Sequence, residues 1–181
     1  MIYISLGWNC EPRIQIKKKY GLYKSNGYKT CPFDLCMTPF ENLKNCLKDD
    51  FKFFFDDLHL IQWPKNVSGD RSKCGSGKMV ICNKYNMILN HESSVYSHKF
   101  LSPGQNDDFY YTRNNFELFK KRYINRINNY REYIKNYNKI TFIHSDQSKK
   151  EWSCEKHNEF KNFLKELYPK KEIYLQILHN Y

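Results

Sequence analysis

Glycine is scarce, with seven in 181 residues, and none of them builds the spaced clusters of a dinucleotide or Walker-type loop, so those two phosphate cradles are excluded. No apolar run approaches the length needed to span a bilayer, and the start lacks the charged, apolar and small-residue order of a secretory signal. The expectation is a soluble, cytoplasmic chain with no membrane partner. Zinc is not expected either, because Cys31 and Cys36, with four residues between them, have no second pair at metal-ligand spacing. The seven cysteines are odd in number and irregularly spaced, which fits free thiols in a reducing compartment better than a disulfide framework. Asn66-Val67-Ser68 fits the glycosylation sequon and, without a signal peptide, reads as a chance match.

Aromatic side chains are abundant, at 17%, and hydrophobic residues make up 40%. That is enough apolar surface to offset the entropy of ordering the chain. The length suits one domain, residues 1–181, better than two. A formal net charge of +11 makes nucleic acid or another acidic partner a secondary expectation. The runs Lys17-Lys18-Lys19, Lys120-Lys121-Arg122 and Lys170-Lys171 are short, and runs of this length are usually solvated helix faces.

The apolar start Ile2-Tyr3-Ile4-Ser5 reads as a strand that breaks at Gly7 and passes into a helix from Glu11 to Tyr20, with Pro12 in its first turn and Gly21 at its end. Thr38-Pro39-Phe40-Glu41 has the form of a capping box before a helix reaching about Leu47. Residues 51–64 are ambiguous between helix and strand, and Pro64 to Gly77 reads as a surface loop. Lys78 to Cys82 and Asn86 to His91 read as two extended segments with a tight connection. Phe116, Phe119, Tyr123, Ile127, Tyr130, Ile134 and Tyr137 recur every three or four residues, the stripe of a core-facing helix. Lys139 to His144 is a strand, a helix opens near Ser148 with Trp152, Phe160, Phe163, Leu164 and Leu167 on its apolar side, and Ile173 to Leu178 is a final strand. A strand, helix and strand of this length must cross over, so the two strands are expected to be parallel. The fold class is α/β: a single layered domain with a mixed, partly parallel sheet flanked by helices.

The chemistry centres on Cys10. At the start of a helix, unpaired backbone N–H groups and the positive end of the dipole stabilise a thiolate and also negative charge developing on a substrate. A small buried hydrophobe is the plain alternative for this residue. Such a thiol needs a proton acceptor. His91, where an apolar segment gives way to a polar loop, is the first candidate, and His98 in the next loop is the second. His144 and Asp146, at the end of another strand, form an alternative pair. Asp34, between Phe33 and Leu35, requires a partner because it is flanked by large apolar groups; either a histidine or a backbone turn would serve. The loop of low-molecular-weight tyrosine phosphatases needs a cysteine and an arginine where Ser5 and Glu11 stand, so phosphatase chemistry is excluded.

Ser5-Leu6-Gly7-Trp8-Asn9-Cys10, Cys31-Pro32-Phe33-Asp34-Leu35 and Tyr85-Asn86-Met87-Ile88-Leu89-Asn90-His91 together resemble a family described as putative papain-like cysteine peptidases, found in bacteria and large DNA viruses. The resemblance implies Cys10 as nucleophile, His91 as base and Asp34 as the acid of the family's Pro-Phe-Asp motif. Leu35 stands where the family more often has tryptophan, and Glu92 follows His91 where an acid-aromatic pair is more usual. A papain-like α+β domain, with its cysteine on a long helix against an antiparallel sheet, is the alternative architecture that the name implies. The expected activity is cysteine-dependent hydrolysis or acyl transfer on an amide, ester or thioester of a protein, peptide or other acyl substrate. Backbone N–H groups from Asn9 to Glu11 would bind the oxyanion, and no metal or organic cofactor is required. A basic module for nucleic acid, nucleotide or phosphate, with Cys10 buried, is the reading from a different class.

Overall fold

The computed structural model describes residues 1–62, 79–92, 110–146 and 153–179. The expected loop from Pro64 to Gly77, His98, and the helix start near Ser148 with Trp152 lie outside the described residues. The chain groups into two compact units, Met1–Phe40 with Asn125–Tyr181, and Glu41–Ile124.

The first unit is built on a wholly parallel three-stranded sheet in the order β1 (Ile2–Ser5), β5 (Lys139–Asp146), β6 (Glu172–His179). Ile2 pairs with Ile140 and Ser5 with Ile143, while β5 continues along β6 from Lys139 opposite Glu172 to Asp146 opposite His179. Every described side chain from Ile140 to Ser145 is buried, the behaviour of a central parallel strand covered on both faces. Helix α1 (Glu11–Tyr20) follows β1 and closes on Gly21 in the left-handed conformation, φ 64°. Its buried Ile16 and the stack of Tyr20 on Tyr3, 3.7 Å between ring centres, seat it on the sheet. Helix α4 (Cys154–Leu167) makes the β5-to-β6 crossover that the spacing predicts, and Ser153 caps it by accepting the Lys156 N–H at 3.2 Å. Its Phe160 meets Phe40 edge-on, with centroids 4.8 Å apart.

The second unit holds an antiparallel sheet, β2 (His59–Gln62), β3 (Met79–Cys82) and β4 (Ile88–Leu89), with Gln62 opposite Met79 and Cys82 opposite Ile88. The tight connection expected after Cys82 is organised by one side chain. Asn83 accepts the N–H groups of Tyr85 and Met87 and donates to the Phe54 carbonyl at 3.0 Å, while Asn86 takes a left-handed φ of 51°. Phe54, Phe119 and Tyr123 stack as its aromatic core.

The unit boundaries fall inside α2 (Phe40–Lys48) and α3 (Arg113–Asn136). The aromatic stripe of α3 is core, as its spacing requires: Phe119, Tyr123, Ile127 and Tyr130 are all buried. Its first residues differ from expectation, because Asn114, Asn115 and Phe116 have left-handed φ values of 50°, 54° and 63°, and the right-handed helix starts only beyond Phe116. The α/β reading therefore holds, with parallel and antiparallel pairing kept in separate sheets. Among the described residues no helix is long and apolar enough to cross a membrane.

Candidate active site

The turn that carries Cys10 leaves β1 through two consecutive left-handed residues, Gly7 at φ 77° and Trp8 at φ 71°. A Cβ on Gly7 would stand 3.2 Å from both the Phe33 carbonyl and Thr38 Oγ1, so glycine is required here by conformation and by space. Trp8 is different. A bulky residue in this region stores strain that only strong surroundings maintain. Those surroundings come from the end of β5. Ser145 Oγ donates to Asn9 Oδ1 at 2.9 Å, the Ser145 N–H reaches the Gly7 carbonyl at 3.4 Å, and the Leu6 N–H donates to Ile143 at 2.8 Å.

Cys10 occupies the N-cap position of α1 with helical φ and ψ of −78° and −10°, half-buried, its carbonyl accepting the Ile14 N–H at 3.0 Å and its side chain making no cap bond. Asn9 caps in its place by an Asx turn, accepting the Glu11 N–H at 2.8 Å. That bond engages one of the donors expected to bind an oxyanion, and Pro12 has no N–H to offer. The Arg13 N–H is the next first-turn donor without an intrahelical acceptor. Asn9 is thus a positioning residue, and Ser145, its partner 136 residues away, was not foreseeable from local pattern.

Asp34 is fully buried. Its carboxylate accepts the Cys31 N–H at 2.9 Å and the Tyr28 hydroxyl at 3.2 Å, and lies 3.8 Å from Arg13 Nε. Of its two expected roles this is the turn brace. Burial pushes its carboxyl up to about 6 against the pull of the Cys31 N–H and the Arg13 and Arg126 charges. Arg13 stacks over the Tyr28 ring at 3.8 Å, so an acid, a base, a phenol and a turn interlock one helical turn from Cys10. Burial also drives the Tyr28 phenol and the Cys31 thiol well above their ordinary ranges.

His91 lies in the second unit, half-buried, in a 3-10 turn, Asn90–Glu92, directly after β4. The turn is held by its neighbour. Buried Glu92 forms an ion pair with Arg122, Nε to Oε1 2.9 Å, and accepts the Tyr123 hydroxyl at 3.0 Å, which fixes the imidazole's carrier to α3. His144, the alternative base, is only 2% exposed, packs against Phe40 and Phe160, and sets Nδ1 3.3 Å from the Leu6 carbonyl. Burial and, more weakly, the Lys156 charge lower it to about 4. Through its Nδ1 this imidazole contacts the backbone of the turn that follows β1.

These two buried groups act oppositely on stability. His144 binds fewer protons folded than unfolded, so its contribution is complete above pH 6.5 and is lost as pH falls toward 4, roughly 3 kcal/mol over that window. Asp34 binds more protons folded, so its contribution is greatest below pH 3.8 and declines until about 6. Between pH 4 and 6 the two largely offset. The variant His144→Phe, which suits the ring's apolar neighbours, is expected to leave only the Asp34 slope, so that urea midpoints fall as pH rises from 4 to 6.

The described cysteines are all free thiols, with Cys31, Cys36, Cys46 and Cys82 buried, Cys154 exposed and Cys10 between. Cys36 Sγ sits 3.0 Å from Thr38 Oγ1. Among the described residues no three His, Cys, Asp or Glu side chains gather as a metal site. No curated protein and no solved structure matches the chain. The three motifs now stand at a strained strand-to-helix turn, a braced acid turn and an anchored histidine, and a family model spanning all of them matches residues 1–176: the chain belongs to the family described as putative papain-like cysteine peptidases.

Proposed function

We propose that the chain is a cysteine-dependent hydrolase or acyltransferase, with Cys10 as nucleophile and His91 as general base, acting on an amide, ester or thioester. The placement of Cys10 carries this reading. A sharp, strained strand-to-helix turn is how α/β-hydrolases present a nucleophile at the edge of a sheet, and here Trp8 at φ 71° and the Ser145–Asn9 bond maintain such a turn. The dipole of α1 favours a thiolate at this position. The sulfur attacks the acyl carbon as His91 takes the thiol proton. The tetrahedral intermediate collapses as that proton passes to the leaving group, and water or a second acceptor then releases the acyl group. Asp34 braces the Cys31–Asp34 turn and holds Arg13; its role is positional.

Cys154 supplies an internal reference for the test. It occupies the first position of α4 and is exposed, so it shares the helix-start environment without a proposed base. Iodoacetamide near neutral pH, with labelled sites counted by mass spectrometry, is expected to modify Cys10 at least about tenfold faster than Cys154, because a matched base increases the thiolate fraction. In His91→Ala that excess disappears. Labelling of Cys10 at or below the Cys154 rate in the unaltered chain overturns the proposal.

A further inference from the structure

Beside α1, within the first unit, a cavity of about 380 Å³ is lined by Arg13, Lys17, Lys24, Ser25, Thr30 and Asp34, with Tyr23 and Leu35 completing its walls. The volume is within the range of small-molecule sites, roughly 300 to 1,000 Å³. Its lining carries three cations against one carboxylate, and that carboxylate already receives Cys31, Tyr28 and Arg13. Two lining residues have buried polar atoms with no hydrogen-bond partner, Arg13 Nη1 and Thr30 Oγ1. Native folds seldom leave such groups unsatisfied, because a buried donor or acceptor without a partner has lost its water and gained nothing in return.

We propose that this cavity is a binding site for the phosphate group of a small ligand. The donor set selects the chemistry. Arg13 Nη2 donates to the Leu22 carbonyl at 2.9 Å and its Nε faces Asp34, so the two-pronged fork that favours a planar carboxylate is already occupied. Around the cavity stand the Arg13 Nη1 amino group, which has no hydrogen-bond partner, the Lys17 and Lys24 ammonium groups on separate segments, and the Ser25 and Thr30 hydroxyls. Donors arriving from several directions match a tetrahedral dianion better than a planar monoanion. The Lys17 ammonium rests 5.4 Å from the centre of the Tyr23 ring, an exposed side chain that can turn inward over a bound group. The assignment is independent of Cys10 and holds whether or not the thiol is catalytic.

Isothermal titration of the full chain with inorganic phosphate and with methyl phosphate, at constant ionic strength in chloride, tests it. Saturable millimolar or tighter binding is expected, with acetate at least about tenfold weaker, a difference of about 1.4 kcal/mol. The double variant Lys17→Ala/Lys24→Ala is expected to weaken phosphate at least about tenfold. Lys18→Ala/Lys19→Ala, which removes the same charge from residues outside the lining, leaves affinity unchanged. Equal loss in both double variants, acetate binding as tight as phosphate, or no saturable binding overturns the site. Both pairs replace exposed side chains, so folding is not at stake.

Discussion

With Cys10 replaced by alanine, hydrolysis of an activated acyl substrate such as a p-nitrophenyl ester is expected to fall to the uncatalysed background while the urea midpoint stays put. His91→Ala is expected to cost about 10²- to 10⁴-fold, the usual share of a positioned base. The two losses should not multiply in the double variant, because a base has nothing to activate once the thiol is gone. The start of α1 is capped by Asn9, which accepts the Glu11 N–H at 2.8 Å, so that cap does not depend on the Cys10 sulfur. Retained turnover in the alanine variant would dismiss the thiol as nucleophile. Loss of folding in His91→Ala would instead identify the imidazole as part of the second unit's packing.

Asp34→Ala is expected to produce the largest loss of stability, about 3 to 5 kcal/mol, the cost of breaking a buried ion pair on one side. Three groups lose their acceptor together: the Cys31 N–H, the Tyr28 hydroxyl and the Arg13 guanidinium, whose side chain is 13% exposed. Against a total stability of about 5 to 15 kcal/mol, that loss brings the first unit close to unfolding at ambient temperature. Asp34→Asn keeps an acceptor for the Cys31 N–H while removing the charge opposite Arg13, so its loss is smaller. Urea denaturation near pH 7.5 ranks the three proteins. An alanine variant within about 1 kcal/mol of the parent, the ordinary effect of a substitution, would show that the cluster does not hold the unit together.

Local signals were legible where they depend on neighbours in the chain. Pro12 and Gly21 delimit α1, the aromatic stripe of α3 is buried, and the length between β5 and β6 demands the parallel crossover that is present. The division of strands between two sheets was not legible, since a four-residue apolar run such as Met79–Cys82 has the same pattern in either. Nor was the left-handed stretch Asn114–Phe116, where local backbone conformation departs from an apolar repeat that reads as continuous helix. In the candidate site, the position of Cys10 at the start of α1 was legible. Asp34 showed only that it would need a partner, and the Asn9 side chain gave no sign of its bond to Ser145, because Arg13 and Ser145 are brought to them by tertiary contacts. The family name implies a cysteine helix on an antiparallel sheet, yet Cys10 follows a parallel strand, and a Cys-His pair can be hosted by either architecture.

The bond between Ser145 and Asn9 has a consequence for how the protein comes into being. Among the described residues the first strand pairs in its sheet with β5, whose register begins at Ile140. During synthesis the thiol turn therefore waits, unshaped, until most of the polypeptide has emerged. An interrupted translation product carries Cys10 without the strand and the Ser145 hydroxyl that hold its turn in the folded chain.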